Sequence, residues 1–175
     1  MWIIDHIKWF ELFYYTFAIL TFMVAFYTFN VYRQQLYGAI ISRCIDIYRK
    51  DFFDLSSSSN EKKCLDYIDF VNEELFYYQN SYISKKVANE WVDGMIEFLP
   101  IHYKDKIVNE SNCLHQIKKL HLLQKYPRVM KSFTICKVYN YEEIYSKNPK
   151  SSIAKLAERK KLINEILSNI KKYKN

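Results

Sequence analysis

Between Glu11 and Arg33 the chain carries no charged residue: the 21 positions "LFYYTFAILTFMVAFYTFNVY" are apolar, aromatic or uncharged polar. A helix over that run rises about 31 Å at roughly 1.5 Å per residue, matching a bilayer hydrocarbon core of about 30 Å. Ten of the residues are Leu, Ile, Val or Phe. Each favours insertion by roughly 0.3–0.6 kcal/mol, while the charges that would cost about 2.5–3.5 kcal/mol lie beyond the ends. Thr16, Thr21 and Thr28 can return their hydroxyls to the preceding helical turn, which makes them tolerable in lipid. Trp2 and Trp9 flank one side, and Tyr27, Tyr32 and Tyr37 the other, where rings with one polar tip prefer the headgroup region. A cleaved signal peptide fits poorly, because Asp5, Lys8 and Glu11 leave no positive n-region and no A-x-A site follows. The expectation is a single membrane span, with a buried helix of a soluble protein as the competing reading.

Basic residues near the span set its expected direction. Arg33, Arg43, Arg49 and Lys50 follow it, whereas only Lys8 and the terminal amine precede it. The N-terminus is therefore expected outside an inner (plasma) membrane and the remainder in the cytoplasm. Ala18, Thr21, Ala25 and Thr28 repeat at intervals of three, four and three, the spacing of a coiled-coil seam. Small side chains there would let two spans approach closely and form a homo-oligomer, the alternative being a monomeric anchor.

Two glycines and three prolines leave few of the residues tight turns need, so helices are expected rather than a many-stranded sandwich or barrel. The fold class is read as mainly α, with one N-terminal transmembrane helix continuing into a stalk, followed by a small cytoplasmic helical bundle. The expected divisions are 1–32 (flank and span), 33–55 (stalk), 56–149 (helical domain) and 150–175 (basic amphipathic helix). In the stalk Leu36, Ile40, Cys44, Ile47 and Tyr48 form an apolar stripe. "SSSSN" reads as a linker, with Ser58 and Glu61 at capping-box spacing.

Cys64, Ile68, Val71, Leu75 and Tyr78 then predict an amphipathic helix from Glu61 to about Asn80, with Asp66, Asp69, Glu73 and Glu74 as an acidic outer face. Ser84 is expected to cap a second helix that runs to Pro100 and buries Val87, Ala88, Trp91, Val92, Met95, Ile96 and Leu99, the two forming a hairpin. Leu114, Ile117, Leu120, His121 and Leu123 predict a helix over 111–126 that Pro127 ends or kinks. Segment 128–147 is read as helix, with a short strand as the alternative. Ile153, Leu156, Ile163, Leu167 and Ile170 predict a helix over 153–173.

Charge is distributed unevenly. Residues 55–112 carry −4, and 113–175 carry +11, so either the halves face one another or the basic half faces an anion. Lys155, Arg159, Lys160, Lys161, Lys171 and Lys172 are the candidate basic surface. It could serve the packed fold itself, an anionic membrane or a protein partner; nucleic acid ranks last, because stacking aromatics are sparse there.

Little in the sequence points to catalysis. Two glycines cannot build a phosphate-cradling loop, and G-x-S-x-G and H-E-x-x-H are absent. Asp54 with Glu61-Lys62-Lys63 imitates a nuclease element without its strands, and no Arg-x(4–6)-His spacing occurs. Cys113, His115 and His121, with His102 or Cys136 as a fourth donor, are the nearest approach to a zinc cluster, but their spacing matches no finger or ribbon. The four cysteines, Cys44, Cys64, Cys113 and Cys136, are read as reduced core residues. No metal and no cofactor are expected.

The pattern of one span, a basic stalk and then "CLDYIDFVNEELFYYQNSYISKKVANEWVDGMIEFLP" resembles a bacterial group of single-pass proteins with a small helical domain of unknown function. Asn72-Glu73-Glu74, Tyr82-Ile83 and Trp91 occupy the group's carboxylate, break and Trp positions. The resemblance covers roughly residues 9–105, implies topology, and transfers no catalytic residue. The expected role is a membrane-anchored protein-binding or adaptor module without catalytic activity. The alternative is a membrane-acting effector of a toxin or antiviral system that oligomerises through its span.

Overall fold

The computed structural model describes residues 2–54, 60–110, 115, 117–145 and 152–173, with the side chains of 2–8, 120, 121, 143 and 152–155 left aside. The fold is mainly helical and divides into two compact units, Met1–Ile45 and Asp46–Asn175.

The first unit is one helix, α1 (Trp2–Ile47), whose last residues fall in the second unit and lead into a π-helical turn, Tyr48–Phe52. No proline interrupts it, and it is long and apolar enough to cross a membrane. Every side chain from Trp9 to Phe29 is exposed, including Phe10 at 77% and Phe22 at 72%. The helix is apolar on all sides rather than along one stripe, which distinguishes it from a surface helix of a globular domain.

In the second unit, α2 (Glu61–Gln79) begins where the Asn60 side chain accepts the Lys62 N–H at 2.9 Å. The expected cap, Ser58, lies outside the described residues. Cys64, Ile68, Val71, Leu75 and Tyr78 are all buried. The helix ends in a Schellman motif: Ser81 takes a left-handed φ of 62°, Tyr82 N–H donates to the Tyr77 carbonyl, and Ser81 N–H to that of Tyr78. The Tyr77 and Tyr82 rings then meet edge to face.

Helix α3 (Lys85–Met95) is capped by Ser84, whose Oγ accepts the Val87 N–H at 3.3 Å. It stops short of Pro100: past Met95 the chain tightens into turns in which Glu97 N–H donates to Gly94 O and Phe98 N–H to Met95 O, and side chains take the carbonyls that follow. The Tyr145 hydroxyl donates to Ile96 O at 2.8 Å, and Asn109 Nδ2 to Leu99 O at 2.8 Å.

A two-stranded antiparallel hairpin follows, β1 (His102–Tyr103) with β2 (Lys106–Ile107), which the sequence pattern did not suggest. Its turn places Lys104 and Asp105 at φ 47° and 63°, the mirror-image geometry that tight hairpins prefer, here without glycine. Thr134 adds a parallel bridge to His102.

The helix expected over 111–126 is, among the described residues, only α4 (Leu120–Gln124). Tyr126 precedes a proline and leaves helical geometry at φ −124°, ψ 71°, so the chain breaks there. Pro127 then opens α5 (Pro127–Ser132), a position where its missing N–H costs nothing. Segment 128–147 thus holds α5, the Thr134 bridge and α6 (Tyr141–Tyr145), so both of its readings hold in part.

Helix α7 (Ser152–Lys172) packs on α2, α3, α5 and α6, burying Leu162, Ile163, Ile166, Leu167 and Ile170. It belongs to the core of this unit. Leu156, expected inside, is 55% exposed, because the buried stripe turns away one helical turn before reaching it.

Candidate functional site

Three places carry the residues singled out by the sequence. On α1, Ala18, Thr21, Ala25 and Thr28 lie among exposed side chains. Thr16, Thr21 and Thr28 donate to the carbonyls of Leu12, Phe17 and Val24 at 2.7, 2.8 and 2.8 Å. These hydroxyls are satisfied within the helix, so the surface they present is effectively apolar.

The basic face of α7 splits into cations that hold the fold and cations that face water. Arg159 grips α3: Nε reaches Asp93 and Nη1 reaches Glu97, each at 2.5 Å, and Nη2 donates to the Asp93 carbonyl at 2.9 Å. Burial opposes its charge, but the hydrogen bonds to Asp93 and Glu97 outweigh burial and hold its pKa above the ordinary value. Lys171 caps the end of α2, donating to Tyr78 O at 2.6 Å and Gln79 O at 3.1 Å with the Tyr78 ring beneath it. Burial lowers its pKa. Lys161 pairs with Glu158 at 2.6 Å one turn back. Lys160 and Lys172 are exposed, and the Lys155 side chain lies outside the described set. Arg128 performs a similar task on α5, bonding Asn72 at 2.9 Å and Gln79 at 3.0 Å while lying over the rings of Phe76 and Tyr173. Arg159 thus joins the basic half of this unit to carboxylates of its acidic half, whereas Lys171 and Arg128 bond carbonyl and amide oxygens of α2.

The third place is the set of proposed zinc donors, which the structure does not assemble. His102 is buried and His115 exposed; Cys113 and the side chain of His121 lie outside what is described. Among the described residues no three His, Cys, Asp or Glu side chains converge as a metal site. Cys44 and Cys64 are buried and outside any disulfide, but Cys136 is exposed, contrary to its reading as a core residue. Cys136 sits on an irregular segment after the Thr134 bridge and is open to solvent.

A buried carboxyl was missed, and a buried histidine was read only as a possible metal donor. Glu74, assigned to the outer acidic face of α2, is only 6% exposed. It borders a crevice shared with Ile83, Ala88, Trp91 and Leu167. Burial, then the neighbouring Glu73 carboxylate, push its pKa well above the usual range. Tyr67, Val71 and Tyr78 surround it at helical spacing, and that is the signal that could have found it. His102 is 6% exposed, and both ring nitrogens lack a hydrogen-bond partner among the described residues. Burial lowers its pKa, opposed by Asp105. Asn109, 2% exposed, ties Ile101 N–H (2.7 Å), Leu99 O and the Tyr145 hydroxyl together at the base of the hairpin.

Comparison with protein families, with curated proteins and with solved structures finds no match to the chain.

Proposed function

We propose that α1 crosses a lipid bilayer once and that the second unit is a protein-binding module held at the membrane surface, without catalytic activity of its own. One observation carries this reading: residues 12–29 expose an unbroken, uncharged and largely apolar cylinder. Each Leu, Ile, Val or Phe left in water forgoes roughly 1.5–3 kcal/mol of burial, which lipid tails supply without any protein partner. The arginines and lysine after the span favour the second unit on the cytoplasmic side of the inner membrane. A binding role is supported by how the charges are used. Arg128, Arg159 and Lys171 are engaged in holding helices together rather than converging on a reactive centre.

The exposed Cys136 reports orientation. In a full-length Cys113→Ser chain, a membrane-impermeant maleimide is expected to label Cys136 only after the inner membrane is permeabilised. Labelling in intact spheroplasts would reverse the topology.

The effector reading is favoured by one feature, the seam of Ala18, Thr21, Ala25 and Thr28, where satisfied hydroxyls leave helix contact unopposed. Membrane potential during expression separates the two. An adaptor leaves it unchanged, and a membrane-acting effector collapses it.

A further inference from the structure

A groove of about 670 Å³ runs between the outer face of α7 and the segment Cys136–Tyr139. Its α7 wall carries Lys161, Asn164, Ser168 and Lys172, and its opposite wall carries Lys137 and Val138. Two carboxylates also border it, and both are engaged. Glu165 accepts the Cys136 N–H at 2.6 Å and the Tyr139 hydroxyl at 2.5 Å, and Glu158 is paired with Lys161. These bonds fix the segment against the helix, so the groove is preformed.

The far wall has two unusual properties. The main-chain N–H and C=O groups of Lys137 and Val138 make no backbone hydrogen bond among the described residues, whereas Ile135 N–H is used by His102. Val138 is 76% exposed although β-branched and apolar. The segment bends at Cys136 and Lys137 and is irregular beyond them, but free main-chain groups beside a helix, with a hydrophobic side chain at the rim, offer bonds to the backbone of an extended peptide. Lys137 and Lys172 have no carboxylate partner among the described residues and set the sign of what enters.

We propose that this groove receives an acidic peptide segment of another protein in extended conformation. Its backbone pairs with Lys137 and Val138, and its carboxylates face Lys137 and Lys172. The proposal rests on the protein-binding role and gives that role a site.

The test uses the full chain in phosphatidylcholine nanodiscs, so the bilayer contributes no competing net charge. The probes are fluorescein-labelled decapeptides of alternating Glu and Val, and of alternating Lys and Val, with a labelled ten-residue oligothymidylate. The Glu peptide is expected to bind more tightly than the Lys peptide or the oligonucleotide, and to weaken as salt rises. The double variant Lys137→Glu, Lys172→Glu should bind it about tenfold less tightly. Both residues are exposed, so an unchanged circular-dichroism melt is expected; should the melt change, Lys137→Gln with Lys172→Gln replaces it and should also weaken binding. Saturating Glu peptide should slow iodoacetamide alkylation of Cys136, which lines the groove. The proposal is overturned by no binding of the Glu peptide, by equal or tighter binding of either other probe, by unchanged affinity in the folded variant, or by unprotected Cys136. A chain that remains in the disc while failing these tests leaves the membrane anchor standing and removes only the groove.

Discussion

Glu74 illustrates how a single carboxyl can set the pH behaviour of the second unit. In the unfolded chain it loses its proton as pH rises past about 4.5, whereas in the fold burial keeps it neutral to a much higher pH. Over that interval the folded state binds more protons, so stability falls as pH rises. Glu74→Gln is expected to abolish this contribution, leaving stability near pH 4 little changed and raising it at pH 8. Urea midpoints of the detergent-solubilised chain across that range check it; an unaltered slope would show Glu74 to be charged in the fold. Asn109 makes a second prediction. Asn109→Ala strands the Ile101 N–H and the Leu99 carbonyl inside the protein, at a cost of about 3 kcal/mol, readable as a drop in thermal midpoint. Glu74 was legible only from its place on the stripe of Tyr67, Val71 and Tyr78, and Asn109 not at all. A carboxylate in an acidic run reads as solvated, and a lone Asn carries no periodic signal, so both depend on what the rest of the chain brings near them.

At the scale of elements, long periodic helices were readable and short ones were not. Helices α2 and α7 lie close to where their stripes placed them, and Ser84 caps α3 as its sequence suggested. The hairpin escaped notice because Lys104 and Asp105 adopt left-handed geometry without glycine, and α4 fell short because Lys119 is extended at φ −70°, ψ 106°, so the helix begins only at Leu120. The lysines of α7 looked equivalent in sequence but are not. Lys171→Met removes the cation at the end of α2 and should lower stability by about 0.5–1 kcal/mol, whereas Lys160→Met should be neutral within error in the same melt. Gly94 lies in α3 at ordinary helical φ, and an added Cβ meets nothing within 4 Å. Gly94→Ala should therefore raise stability by about 0.5–1 kcal/mol, seen as a higher thermal midpoint.

At the scale of the molecule, one chain joins two units governed by different physics. The second unit buries its apolar stripes and pairs its acidic half with its basic half, as Arg159 does with Asp93 and Glu97. The first presents phenylalanine, leucine and tyrosine on every side and buries none of its most apolar stretch. That contrast was visible in the sequence as 21 residues without a charge, because insertion into lipid depends on composition along a single helix and needs no knowledge of tertiary contacts. The most direct measurement is the distribution of the full-length chain after alkaline carbonate washing of membranes and high-speed sedimentation. A chain whose first helix crosses the bilayer stays in the pellet until detergent is added, and recovery of a compact monomer in the supernatant would contradict the account.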